Sequence, residues 1–250
     1  MELLFVHGAL VRGGAWWWGP AARLLQDRTG IRSRALALPS CGEVTPPARA
    51  GAEGAAGQGG LEADAAALRE ALDEAGSEMG AAGSVIVVGH SYGGTVIAEA
   101  GHHAAVAGLV LVSSYLPEVG LSQAAIMSGE TDPVAIEPGD DGTLRLAGHD
   151  EASFGARFLQ DADAATRRAA WSRVTPQAAA AFITPTSAAG WQGVDSTYVV
   201  CTDDRSTSVG LQRRHAARAT RSIDVPTGHH PFLTRPDLVV DELEALLRRL

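Results

Sequence analysis

The sequence predicts an α/β domain built on a mostly parallel sheet of about six strands flanked by helices. Three observations carry this. Residues 85–88, Val-Ile-Val-Val, form an unbroken β-branched run, as a strand buried on both faces requires. Short apolar strands alternate with helical patterns from residue 3 to residue 113. The alternation stops near residue 115 and resumes at residue 196.

Residues 3–6 read as a short buried strand, followed by His7-Gly8-Ala9 and then Gly13-Gly14-Ala15-Trp16-Trp17-Trp18. Residues 20–27 are helical, with Ala21, Leu24 and Leu25 on one face, and 31–38 alternate as a second strand. Residues 39–60 are a loop dense in Gly, Ala and Pro. Residues 61–78 are an amphipathic helix with Leu61, Ala65, Leu68 and Leu72 on its apolar face. The run at 85–88 leads through Gly89-His90-Ser91-Tyr92-Gly93 into an apolar helix from Thr95, and 106–113 is a further apolar strand.

From 115 to 191 no clean strand is visible. Residues 137–141 are turn-like, and 161–171 and 176–183 read as short helices. Helices inserted after a sheet strand read as a lid over the strand ends. The core is then 1–114 with 192–250, and the helical cap 115–191. Strands resume at 196–201 and 222–225, with a helix at 209–219 between them. Pro236 opens a closing helix whose apolar face carries Val239, Leu243, Leu246, Leu247 and Leu250.

The 250 residues are 46% hydrophobic and 20% charged, with a formal net charge of −9. That charge argues against nucleic acid or an anionic membrane surface as partner. No apolar run reaches transmembrane length, and no basic segment or cleavable apolar region marks the start, so cytoplasmic residence is expected. Two cysteines, Cys41 and Cys201, make no disulfide framework. No metal-ligand or nucleotide-binding pattern is present, so no cofactor is expected and the partner is a small molecule. The sequence leaves the oligomeric state open between monomer and homodimer.

Gly89-His90-Ser91-Tyr92-Gly93 is a G-x-S-x-G between a strand and a helix, the context of a nucleophile elbow. Ser91 would point its hydroxyl off the carboxyl end of the sheet, at the positive end of a helix. A serine needs a histidine as general base and an acid to orient the imidazole. On such an elbow the chain order is nucleophile, acid, histidine, which restricts the search to residues after Ser91. The loop Thr227-Gly228-His229-His230 lies after the last strand, and His229 is the expected base, with His230 the alternate. Asp203 and Asp204 begin where strand 196–201 ends. Asp204 is preferred, with Asp203 and Glu118 as alternates. The oxyanion is expected to be received by the backbone N–H of Tyr92, after the nucleophile, and of Ala9, after Gly8 in the first strand's loop. His7 and His90 precede the nucleophile and shape the turns. Gly8, Trp16, Trp17, Tyr115 and His230 are the expected substrate contacts.

Taken together, Val6-His7-Gly8-Ala9, Gly89-His90-Ser91-Tyr92-Gly93-Gly94, Tyr198 to Asp204, and Gly228-His229 seven residues before Pro236 resemble the α/β-hydrolase superfamily along nearly the whole chain. The resemblance is to the branch of plant methyl esterases, hydroxynitrile lyases and small bacterial esterases. It implies a cap after the strand that follows the elbow. The spacing to Leu211-Gln212 favours Asp204 as acid, and the spacing to Pro236 favours His229 as base. The lyases of that branch resemble a pattern with threonine where Gly8 stands and lysine where His230 stands, so the resemblance implies ester hydrolysis. The tryptophan segment is slightly longer than in the plant enzymes. The expected activity is that of a serine carboxylesterase on a small apolar or aromatic ester, such as a methyl ester or lactone. Two rivals remain at this stage: a lactone-forming cyclase or acyltransferase with the same triad, and a slow-turnover receptor on the hydrolase fold.

Overall fold

A computed structural model describes residues 1–43, 59–80 and 82–250. The larger part of the loop expected at 39–60 lies outside the described residues. In chain order the elements are β1 (Glu2–Val6), α1 (Gly14–Thr29), β2 (Arg32–Ala35), α2 (Leu61–Met79), β3 (Val85–His90), α3 (Gly93–Ala100) and β4 (Val106–Val112). An insert follows, with α4 (Gln123–Met127), β5 (Ile136–Pro138), β6 (Thr143–Leu146), α5 (Glu151–Phe158), α6 (Ala164–Trp171), β7 (Gln177–Ala178) and α7 (Ala180–Ile183). The chain closes with β8 (Ser196–Cys201), α8 (Val209–Ala216), β9 (Arg221–Val225), α9 (Pro231–Thr234) and α10 (Pro236–Leu247).

Six strands form one sheet in the order β2-β1-β3-β4-β8-β9, and every pairing in it is parallel. β3 is central because Val85 to Val88 are all β-branched and the strand can be covered on both sides. Its side chains alternate between two cores. Val85 and Val87 pack with Leu4, Val6, Leu109 and Leu111 under α2 and α3. Ile86 and Val88 pack with Leu3, Phe5, Val110 and Val112 under α1 and α10. Each such side chain, fully buried, contributes about 1.5–3 kcal/mol. Parallel pairing brings the carboxyl ends of β3, β4, β8 and β9 to one edge, and the loops leaving that edge carry the polar residues singled out above.

Two regions differ from the sequence expectation. α1 starts at Gly14, so the three tryptophans are helical and Pro20 falls inside the helix. Packing outweighs the lost backbone hydrogen bond. Trp17 and Trp18 are both about 1% exposed, and Trp18 stacks on Phe5 at 4.6 Å and on Phe232 at 3.9 Å. The insert is also not purely helical: β5, β6 and β7 form a small antiparallel sheet, and α5 opens at a capping box of Asp150 and Ser153. Strands of two to four residues are too short to show a period of two, which is why the sequence hid them. For the same reason the helix expected at 176–183 is reduced to α7, with β7 ahead of it.

Candidate active site

β3 runs straight into the turn that carries Ser91. Ser91 adopts φ 51°, a left-handed conformation unusual for a residue with a side chain. The glycines around it make that turn possible. A Cβ on Gly89 would meet Ile97 Cδ1 at 2.6 Å, and one on Gly94 would collide with the Tyr115 carbonyl. The backbone carbonyl of Ser91 accepts from Ser114 Oγ at 2.8 Å and from Tyr115 N at 3.3 Å, which ties the turn to the end of β4.

Above β8 and β9, His229 Nδ1 lies 2.7 Å from Asp204 Oδ2. The carboxylate can only accept, so Nδ1 carries the proton and Nε2 keeps its lone pair. Asp204 is held from every side. Oδ1 accepts from Ser206 N and Thr207 N at 2.7 and 3.0 Å, and Oδ2 accepts in addition from Ser113 Oγ at 2.6 Å and Gln212 Nε2 at 3.2 Å. Burial would raise the pKa of this carboxyl. The charge and hydrogen bond of His229, with those further donors, outweigh burial and hold it below the usual aspartate range.

Ser91 and His229 line the same cavity, of about 70 Å³. Gly8, Ala9, Tyr115 and His230 line it as well, and the insert adds Met127, Val134, Leu146, Phe154, Phe158 and Phe182. Among the described residues the walls carry no Arg and no carboxylate. Among the described residues the Ser91 hydroxyl has no direct hydrogen bond to His229. Its near neighbour is Tyr115, whose hydroxyl also lies 3.2 Å from Thr207 Oγ1. Burial pushes the Tyr115 phenol up to about 12 against the hydrogen bonds of Thr207 and Ser91, so it stays protonated at neutral pH.

The other expected residues separate clearly. The backbone N–H groups of Ala9 and Tyr92 donate to no group among the described residues. Trp16 and Trp17 do not line the cavity, which corrects the sequence expectation. Trp16 lies under the Arg173 guanidinium at 4.2 Å, and Trp17 stacks on His230 at 4.8 Å from behind. Both are displaced because the segment is helical. Asp203 does not touch His229; its carbonyl accepts from Gln160 Nε2. Glu118 is 61% exposed and faces Arg218 at 3.6 Å. His90 Nε2 donates to the His229 carbonyl at 2.9 Å, and His230 Nδ1 to the Phe158 carbonyl at 3.0 Å. Burial depresses both: His90 well below its ordinary value, His230 to about 3.

A buried polar chain missed by sequence reading supports the turn from beneath. Tyr92 Oη donates to Asp64 Oδ2 at 2.8 Å, and Ser40 Oγ donates to the same oxygen at 2.5 Å. Gln177 of β7 donates from Nε2 to Ser40 Oγ at 2.9 Å and accepts from Leu10 N at 2.8 Å with Oε1. Leu10, next to Ala9, has φ 58°. Burial raises the Asp64 pKa, against the pull of the Ser40 and Tyr92 hydrogen bonds.

With this geometry in view, similarity to known proteins identifies the family. Residues 3–242 match the model of the alpha/beta hydrolase family. The chain belongs to that family. It is 29% identical over 192 residues to the alpha/beta hydrolase nvfD of Aspergillus novofumigatus, covering 71% of this chain and 74% of that protein. In fold it is similar to a pyrethroid hydrolase, PytH, with a TM-score of 0.78 and 22% identity over 99% of this chain and 97% of that one. It is likewise similar to the methylesterase MES16 of Arabidopsis, with a TM-score of 0.73 and 16% identity, all of both chains being covered. As a member of the family, this alpha/beta hydrolase has no helix among the described residues long and apolar enough to cross a membrane.

Proposed function

We propose that this alpha/beta hydrolase is a serine carboxylesterase acting on uncharged esters of small apolar or aromatic acids, methyl esters and lactones among them. The observation that carries the reading is the Asp204–His229 pair at 2.7 Å opening onto the same apolar cavity as a serine at φ 51°. In this reading the Ser91 hydroxyl attacks the ester carbonyl and His229 Nε2 takes its proton. Asp204 stabilises the imidazolium, and its low pKa keeps it charged for that purpose. The free amides of Ala9 and Tyr92 receive the oxyanion, a contribution of about 10²–10³ in turnover per donor. His229 then protonates the leaving alcohol, and water, activated by the same imidazole, releases the acid. The segment 115–191 acts as the cap that shapes the acyl site. Largely apolar walls, with no cation among the described lining residues, favour a neutral substrate, because a charge brought there would be desolvated unpaired.

The test is a panel of p-nitrophenyl esters of graded acyl length, followed by methyl esters and lactones. Ser91→Ala is expected to lower turnover by roughly 10⁶-fold, and a fluorophosphonate probe is expected to label Ser91 in the unmodified protein. Turnover surviving in Ser91→Ala, or absence of labelling, overturns the reading.

A further inference from the structure

Three histidines meet beside the cavity: His90, His229 and His230, all buried and all among its lining residues. One nitrogen of each ring lies within 4.8 Å of one from each of the others. The ring centroids are 4.4, 4.7 and 4.8 Å apart. Imidazoles sharing one tetrahedral ion at about 2.0–2.1 Å have nitrogens on the order of 3.4 Å apart. The observed separations are at most about 1.4 Å wider than that, so side-chain rotation is needed to bring the set into coordination.

The hydrogen bonds fix what each ring can offer. His90 Nε2 is committed to the His229 carbonyl, His229 Nδ1 to the Asp204 carboxylate, and His230 Nδ1 to the Phe158 carbonyl. Every one of these partners is an acceptor, so each committed nitrogen carries the proton. The nitrogens left over, His90 Nδ1, His229 Nε2 and His230 Nε2, are lone pairs, and all three rings line the cavity. Three imidazoles whose outer N–H groups are held by a carboxylate or carbonyls match the way metal-binding histidines are fixed.

We propose that His90, His229 and His230 form a site for one borderline divalent ion, zinc or copper(II), with the fourth position facing the cavity. Imidazole nitrogens suit these ions, whereas magnesium and calcium require oxygen ligands. Binding takes the lone pair of His229 Nε2, so the ion inhibits ester hydrolysis; that consequence rests on the esterase reading, while binding itself does not. No sequence motif announces such a site, because His90 lies on the elbow and the other two on a loop 139 residues later.

The test uses the full chain and zinc chloride or cobalt chloride alone. Isothermal titration is expected to show one zinc per chain, and cobalt to give the intense visible bands of a tetrahedral nitrogen site. His230→Phe and His90→Gln are each expected to weaken zinc binding at least about a hundredfold. His90→Gln keeps an N–H for the His229 carbonyl but has no second ring nitrogen. Ser91→Ala and the exposed His102→Ala are expected to bind zinc as the unmodified protein does. Saturating zinc is expected to suppress ester turnover more than tenfold, with full recovery on adding EDTA. An octahedral cobalt spectrum overturns the site, as does zinc binding that survives in both His230→Phe and His90→Gln. A zinc site in a chain that hydrolyses no ester overturns the esterase reading alone, and esterase activity without zinc binding overturns this proposal alone.

Discussion

The Ser113 hydroxyl donates a 2.6 Å hydrogen bond to Asp204 Oδ2, the same oxygen that faces His229 Nδ1. Ser113 holds this position from φ 41° at the end of β4, where the chain leaves the sheet. Its Oγ is also 3.3 Å from His229 Nδ1, so it fixes the angle between acid and imidazole as well as the charge of the acid. A hydrogen bond to a charged group contributes about 1.5–3 kcal/mol. Ser113→Ala is therefore expected to lower kcat roughly tenfold or more, with KM little changed, in steady-state assays on a p-nitrophenyl ester.

Gln177 connects the insert to the loop that carries Ala9. Its Oε1 is the acceptor for Leu10 N, and its Nε2 reaches the Ser40–Asp64–Tyr92 chain. Gln177→Leu leaves Leu10 N without an acceptor and loosens a strained loop. A fall in kcat of about tenfold is expected, from misplacement of the Ala9 amide proposed as an oxyanion donor. Gln177→Glu keeps an acceptor for Leu10 N and is expected to recover part of the loss. Equal effects from both variants would point to packing alone.

Phe158 closes the cavity from α5, stacked on Phe154 at 4.8 Å. Phe158→Ala is expected to cost about 3–5 kcal/mol of stability, read by urea denaturation. It is also expected to move the preference in kcat/KM toward bulkier acyl groups. A cavity that collapses onto the missing ring would leave the preference unchanged.

His7 and Glu43 form a pair at 2.7 Å that pins the first loop, since Glu43 also accepts from Gly13 N and Leu38 N. Burial disfavours charge on both, yet each is held charged by the other: His7 is raised above 6.5 and Glu43 lowered below 4.5. The raised histidine stabilises the fold fully below 6.5 and loses that contribution as pH rises through its folded value. The lowered glutamate stabilises above 4.5 and loses its contribution as pH falls through its folded value. Thermal unfolding across pH should therefore show the largest deficit of Glu43→Gln between those two values. A deficit independent of pH would exclude the ion pair as its source.

The sheet was legible because its signal is local. Runs such as Val85 to Val88 can hardly be anything but buried strands, and parallel topology follows from the helices between them. Ser91, His229 and Asp204 stand out in the sequence because glycines and strand ends frame them, and of these the structure brings His229 onto Asp204. Two side chains that support the site from further away in the sequence do not. Ser113 acts through a left-handed φ that no residue pattern announces, and Gln177 through contacts with residues 137 and 167 positions away. Trp16 and Trp17 were misplaced because Pro20 reads as a helix start, whereas burial of Trp17 and Trp18 carries the helix back to Gly14.

The polar groups at the cavity floor come from the ends of the parallel strands, while most of its greasy wall comes from the segment between β4 and β8. Two stretches of chain thus answer to two different demands. Mutations scattered through α4, α5 and α7 can reshape what the pocket admits while leaving bond-breaking geometry untouched. A lineage carrying this scaffold can change its diet without relearning its chemistry.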